Sequence, residues 1–178
     1  MGEIKKPLPV KVFCGLIYRD DKLILEVEKK LSEKWGDIDL EAGPFPFNFT
    51  DYYTEEMGEN LKRSFISFSE LVIPEKLWEW KIFTNRIEDE FSSNGKRRVN
   101  IDPGYIDFSK VILLSTKDFY HRIYLGEGIY AEVTMHFSKG KYHFFHWTYP
   151  DYQTGNYLKF FENLRKIYSK QIKDENVD

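Results

Sequence analysis

At 178 residues, with 42% hydrophobic and 31% charged side chains, the chain has the size and mixture of one globular domain and enough apolar surface to fold without staples. A net charge of −3, from 26 basic and 29 acidic residues, argues against a nucleic-acid partner, and the single cysteine excludes an internal disulfide and a Cys-rich zinc site. Residues 1–9 are polar and lysine-bearing with no apolar signal region, and no apolar run approaches membrane-spanning length, so a cytoplasmic chain with no membrane partner is expected. One domain over residues 1–178 is expected, with flexible tails at 1–9 and 174–178.

Residues 10–18 are apolar on both alternating faces (Val10, Val12, Cys14 and Leu16 against Phe13 and Ile17), the pattern of a central strand covered on both sides. Cys14 then reads as a small buried hydrophobe rather than a nucleophile. Asp20 or Asp21 can cap the helix that follows, in which Ile24, Val27, Leu31 and Trp35 recur at helical spacing until Gly36 stops it. Residues 39–49 read as an irregular strand that Gly43-Pro44 and Pro46 confine to an edge or a bulge. Residues 51–57 suggest a short helical turn closed by Gly58, and residues 61–69 alternate as a third strand. Pro74 suits the first position of a helix whose buried stripe is Leu77, Trp80, Ile87 and Phe91 and which Asn94-Gly95 ends. Residues 97–102 form a fourth strand with Arg98, Asn100 and Asp102 on one face. The order βαββαβ is that of the ferredoxin-like split unit, so the expected class is α+β.

Asp102-Pro103-Gly104-Tyr105 carries the residues of a type II turn. Asp107 then caps a short helix through Ser115, with a strand as the alternative because residues 111–114 are a plain apolar run. Residues 121–125, 129–138 and 141–148 alternate as a three-stranded antiparallel meander, joined by Gly126-Glu127-Gly128 and Lys139-Gly140. Tyr157, Phe160, Phe161, Leu164, Tyr168 and Ile172 mark a C-terminal amphipathic helix.

Turn length sets register. A two-residue turn at Lys139-Gly140 puts Phe137 opposite Tyr142 and His136 opposite His143, and continues Thr134 to Phe145, Glu132 to Trp147 and Tyr130 to Tyr149. A three-residue turn at 126–128 puts Ile123 opposite Ala131, Tyr124 opposite Tyr130 and Arg122 opposite Glu132. One face of the meander is then apolar: Ile123, Leu125, Ile129, Ala131, Val133, Met135, Phe137, Tyr142 and Phe144. The other holds Arg122, Tyr124, Tyr130, Glu132, Thr134, His136, His143, Phe145, Trp147 and Tyr149. Arg122 and Glu132 are either a cross-strand ion pair on a covered face or the floor of a ligand site among aromatic walls.

Motifs for standard chemistries are missing. No G-x-x-x-x-G-K-[ST] or G-x-G-x-x-G run occurs, so P-loop nucleotide binding is excluded and no cofactor is expected. No serine sits in a G-x-S-x-G elbow. His136 and His143 could share a metal, but a third ligand is lacking, since Glu132 lies too far along the strand and His121 and His146 alternate to the opposite face. Arg97, Arg98, Lys110, Lys117 and Arg122 fall within 26 residues and could converge on a phosphate, with Lys62-Arg63 able to join them.

Several stretches carry a family resemblance. They are Phe49-Thr50-Asp51-Tyr52-Tyr53, Glu56-Met57-Gly58, Lys62-Arg63, Thr84-Asn85, Arg98-Val99-Asn100-Ile101-Asp102-Pro103-Gly104-Tyr105, His121-Arg122-Ile123-Tyr124-Leu125, Gly128-Ile129-Tyr130-Ala131-Glu132-Val133-Thr134 and Thr148-Tyr149-Pro150-Asp151-Tyr152. Over nearly its whole length the chain resembles a prokaryotic family known as a domain of unknown function, DUF4416. Some members carry a GTP-binding label, which no guanine-nucleotide motif in this chain supports. The expectation is a protein for a small anionic ligand, phosphorylated or nucleotide-like. Arg98, Lys110 and Arg122 would hold its oxygens and Asn100 would bind alongside them. Tyr124, Tyr130, Trp147 and Tyr149 would hold a ring, with Glu132 or Asp102 as acid/base. The alternative is an interaction or homodimerisation module that uses the same aromatic face.

Overall fold

In this computed structural model, which describes residues 2–175, one antiparallel sheet of eight strands carries two helices on one face and one on the other. In chain order the elements are β1 (Val10–Tyr18), α1 (Asp21–Trp35), β2 (Ile38–Pro46), α2 (Thr54–Met57), β3 (Lys62–Val72), α3 (Trp78–Glu90), β4 (Val99–Ile106), β5 (Lys110–Ser115), β6 (Ile123–Gly126), β7 (Ile129–Ser138), β8 (Lys141–Phe144) and α4 (Gly155–Glu175), with a short 3-10 turn, Pro150–Gln153, before α4. The strand order is β2-β3-β1-β4-β5-β7-β6, and β8 also pairs with β7. The fold is therefore α+β. Residues 176–178 of the expected C-terminal tail lie outside the described residues.

Strand β1 is buried at every position because it is covered twice. Val12, Cys14 and Leu16 pack under α1 and α3, in one cluster with Val27, Leu31, Trp35, Trp80 and Ile87. Phe13 packs on the other face with Phe65 and with Phe160, Phe161, Leu164 and Tyr168 of α4. Asp20 caps α1 by accepting from the backbone N–H of Lys22 and Leu23, and Gly36 ends it at φ 84°. β2 is the edge strand that its glycine and prolines require, with register shifts and a cis Gly43-Pro44 bond.

Several expectations change. Helix α3 begins at Trp78, so Pro74 precedes it in an extended segment rather than opening it. Residues 110–115 are a strand, not a helix, because β4 on one side and β7 on the other bury the run Val111, Ile112, Leu113 and Leu114. Asp107 caps the tight connection instead, accepting from the backbone N–H of Ser109 and Lys110.

Asp102-Pro103-Gly104-Tyr105 is not a turn but the middle of β4. β4 pairs with β1 from Val99 to Ile106, yet it meets β5 only from Gly104 to Ile106. Ile101 turns its N–H and C=O away from β1, and Pro103, two residues on, shares that orientation. The N–H that Pro103 lacks would have pointed toward β5, so the proline marks where the two strands part. Gly104 is needed at the junction itself, since a Cβ there would lie 2.2 Å from the Ile112 carbonyl oxygen and 2.8 Å from the Phe13 ring.

The meander keeps its expected register at both turns: Ile123 faces Ala131, Tyr124 faces Tyr130, Phe137 faces Tyr142 and His136 faces His143. However, β8 stops at Phe144, so the continued pairs of Phe145, Trp147 and Tyr149 do not form as a ladder. The cause is a bulge at Thr134, where Val111 pairs with Met135 but Ile112 pairs with Val133. The bulge turns Met135 and Phe137 toward α4 while Ile129, Ala131 and Val133 stay under α1 and α3, so the single apolar face expected of β7 is divided between two cores. The chain after β8 folds over the bulge, with the Trp147 indole donating to the Val133 carbonyl and the Thr148 hydroxyl to the Thr134 carbonyl.

Candidate functional site

Where β4 and β5 part, the sheet opens onto a cavity of about 700 Å³. Its walls are residues of β1, β3, β4, β5 and β7, one face of α3, the loops before β3 and after β5 and the turn before α4. The free edge of β4 is not left unsatisfied. From α3, Glu88 Oε1 accepts from Ile101 N–H at 2.6 Å, and Lys81 Nζ donates to the Ile101 carbonyl at 2.7 Å. Burial pushes the Glu88 carboxyl above its ordinary range, although Lys81 and the Ile101 N–H act the other way.

Arg63 lies across the floor, 4% exposed. Nη1 donates to Asp102 Oδ2 at 3.2 Å and Nη2 to Asp151 Oδ2 at 3.3 Å, with the guanidinium 5.2 Å from the Phe65 ring centre and 5.5 Å from that of Phe47. The position depends on Gly15 of β1, which pairs with Asp102, and whose missing Cβ leaves the space that the guanidinium fills. The two carboxyls differ. Burial acts to raise Asp102, but Lys81, Arg63 and the Asn100 amide outweigh it and hold the group below the usual carboxylate range. Burial prevails at Asp151, which is raised despite Arg63.

Asp102 is also the carboxylate with room for a ligand. Oδ2 accepts from Arg63 and, at 3.0 Å, from Asn100 Nδ2, whereas Oδ1 has only Lys81 Nζ at 4.0 Å, and the side chain is 27% exposed. Glu132 is instead fully engaged. Its Oε2 accepts from Arg122 Nε at 2.8 Å and meets His121 Nε2 at 3.2 Å, and its Oε1 accepts from Thr134 Oγ1 at 3.1 Å. Arg122 is equally occupied: Nη1 donates to Ser115 Oγ and the Lys117 carbonyl, and Nη2 to the Tyr149 hydroxyl at 2.9 Å. The pair thus braces the wall. The contact with His121 corrects the expected strand alternation, since β6 begins only at Ile123 and His121 lies in the preceding turn, stacked on Trp147.

Of the expected site residues, Asn100, Asp102, Arg122, Glu132 and Tyr149 line the cavity together. Arg98 does not, as it is paired with Asp20 just before β4, and Lys110 is paired with Asp107 in the β4–β5 connection. Tyr124 and Tyr130 pack on each other on β6 and β7, away from the opening, and Trp147 stacks between His121 and Phe145. His136 and His143 stack on one another 5.0 Å apart, and among the described residues no group of three His, Cys, Asp or Glu side chains is placed to hold a metal. Of the basic cluster, Arg63, Arg97, Lys117 and Arg122 reach the cavity.

Sequence reasoning passed over Gly15, Lys81, Glu88 and Asp151. A glycine inside a wholly apolar strand was the usable signal, because it marks a close approach from a neighbour. The formal charges of the lining side chains balance, five basic against five acidic. A family model described as a domain of unknown function (DUF4416) matches residues 8–168. No curated protein and no solved structure matches the chain.

Proposed function

The chain belongs to the DUF4416 family, whose description assigns no activity, and from the cavity we propose that it binds a small phosphorylated or nucleotide-like compound between the sheet and the loops around it. The observation that carries this is the convergence of Asn100, Asp102, Arg122, Glu132 and Tyr149, drawn from three separate parts of the chain, on one opening rimmed by exposed Phe49, Tyr52, Phe119 and Tyr149. A few polar groups fixed inside an aromatic-walled cavity of this volume are what small-ligand sites commonly present. In this reading Asp102 is the group that meets the ligand and, if a reaction follows, its acid/base. Arg122 and Glu132 hold Tyr149 and the loop after β5 in place. Thermal-shift measurements against nucleotides, nucleosides, nucleobases, sugars and sugar phosphates test it. At least one class should raise the melting temperature, and Asp102→Asn should remove that rise. Silence across the whole panel would overturn the proposal.

A second reading, self-association, has one observation in its favour. Tyr120, in the turn before the short edge strand β6, and Ile123 and Tyr124 on it are 80%, 70% and 59% exposed, and none lines the cavity. Sedimentation velocity over a range of concentrations decides it. A dimer lost in Tyr124→Lys supports the contact, and a monomer throughout removes it.

A further inference from the structure

The cavity's spare hydrogen-bonding capacity is distributed unevenly. Its inner end is built from Arg63, Asn100, Asp102 and Asp151, of which Arg63, Asn100 and Asp151 are more than nine-tenths buried. Asp102 Oδ1 is an open acceptor there, Asn100 Nδ2 uses one of its two protons on Asp102, and the buried Tyr152 hydroxyl has no partner among the described residues. Unpartnered buried polar atoms around a cavity mark a place where something else completes the bonding. An anion would meet the ionised Asp102, and a cation would meet Lys81 and Arg63. A hydroxyl group, donor and acceptor at once, suits a floor that offers both.

The rim differs. Of the five basic side chains that line the cavity, Arg63, Lys81, Arg97 and Arg122 are each within ion-pair distance of a carboxylate. Lys117 has none among the described residues. Its exposed ammonium sits 4.1 Å from the centre of the Tyr52 ring, at the mouth.

We propose that the ligand is a phosphorylated sugar, its hydroxyls turned inward to Asp102 and Asn100 and its phosphate left at the rim on Lys117. The inference rests on the cavity being a ligand site. The ring faces of Tyr53 and Phe119, which also line the opening, would cover the apolar faces of the sugar.

Isothermal titration calorimetry with ribose 5-phosphate, glucose 6-phosphate, the two free sugars, inorganic phosphate and adenine tests the proposal. At least one phosphosugar should bind, about tenfold tighter than its free sugar, the gain expected of one ammonium–phosphate contact. Inorganic phosphate and adenine should bind far more weakly. Lys117→Ala, a change at an exposed side chain that leaves the fold alone, should bring the phosphosugar down to the affinity of the free sugar. Asp102→Asn should weaken sugar and phosphosugar alike by about tenfold or more. Adenine binding without either sugar, or inorganic phosphate binding as tightly as the phosphosugars, would overturn this inference and leave the cavity reading standing. So would Lys117→Ala without effect on a phosphosugar that binds. No binding by any sugar or phosphosugar would overturn it too, and the broader panel above would then judge the cavity.

Discussion

Gly15 and Arg63 occupy one space between them: a Cβ on Gly15 would lie 3.0 Å from Arg63 Nη1 and 3.2 Å from the Phe65 ring. Arg63 in turn links Asp102 of β4 to Asp151 of the turn before α4, through its two terminal nitrogens. A missing methyl group in the central strand therefore decides whether the cavity floor assembles.

Gly15→Ala should give a folded protein with a displaced guanidinium. The strand accepts alanine, since Gly15 has no positive φ, and the neighbours must yield by only tenths of an ångström. Overpacking of this kind costs about 1–3 kcal/mol. Urea midpoints should fall by that amount, while binding of any cavity ligand should fall more than tenfold, because Nη1 can no longer sit on Asp102.

Arg63→Met should destabilise by about 3 kcal/mol near neutral pH, because it leaves Asp151 buried without its counter-charge and Asp102 with only Lys81 and Asn100. The pH dependence follows from the two shifts. Asp102, held low in the native protein, contributes stability above its unfolded pKa, about 3.9, and that contribution is lost as pH falls through the lower folded value. Asp151, raised by burial, acts oppositely and is relieved as pH falls. Removing Arg63 raises both groups. The variant's deficit should be widest at pH 7 and narrow toward pH 4. A deficit independent of pH, measured by urea unfolding at several pH values, would show that the guanidinium acts through packing alone.

The contrast between Gly104 and Gly140 tests why β4 contains a Pro-Gly pair. Gly104→Ala drives a Cβ to within 2.2 Å of the Ile112 carbonyl oxygen, a backbone atom that cannot turn aside. It should destabilise by more than about 3 kcal/mol and separate β4 from β5. Gly140→Ala meets nothing within 4 Å and suffers only from its φ of 81°, a cost of about 1 kcal/mol. Thermal melts of the two variants give the comparison.

These positions also show how far the sequence could be read. Turn length placed the β6–β7 and β7–β8 registers, because the number of residues in each turn fixes which positions face one another. It could not show the bulge at Thr134, which depends on β5 pairing from the other side and on Trp147 and Thr148 folding back over two carbonyls. Asp102-Pro103-Gly104 looked like a turn because turns and strand divergences need the same two residue types, one without an N–H and one without a Cβ. Arg122 and Glu132 were legible because they face each other across one hairpin. The Asp102–Arg63–Asp151 cluster was not, since its members are 39 and 88 residues apart and only the β3-β1-β4 strand order and the packing of α4 bring them together.

Arg122 and Glu132 invite a double-mutant cycle. Each is almost wholly buried, and each side chain satisfies the other as well as a separate set of partners: Ser115, Lys117 and Tyr149 for Arg122, Thr134 and His121 for Glu132. Arg122→Met strands a buried carboxylate, and Glu132→Leu strands a buried guanidinium, so each alone should cost about 3–5 kcal/mol. The double variant Arg122→Met/Glu132→Leu removes both charges and should recover part of that loss, giving a coupling energy of about 1–3 kcal/mol in urea unfolding. Cavity binding should not recover with it, because Tyr149 and the loop after β5 lose the guanidinium that holds them. Additive costs in the cycle would mean that the two side chains act independently, with the wall braced by Ser115 and Thr134 rather than by the ion pair.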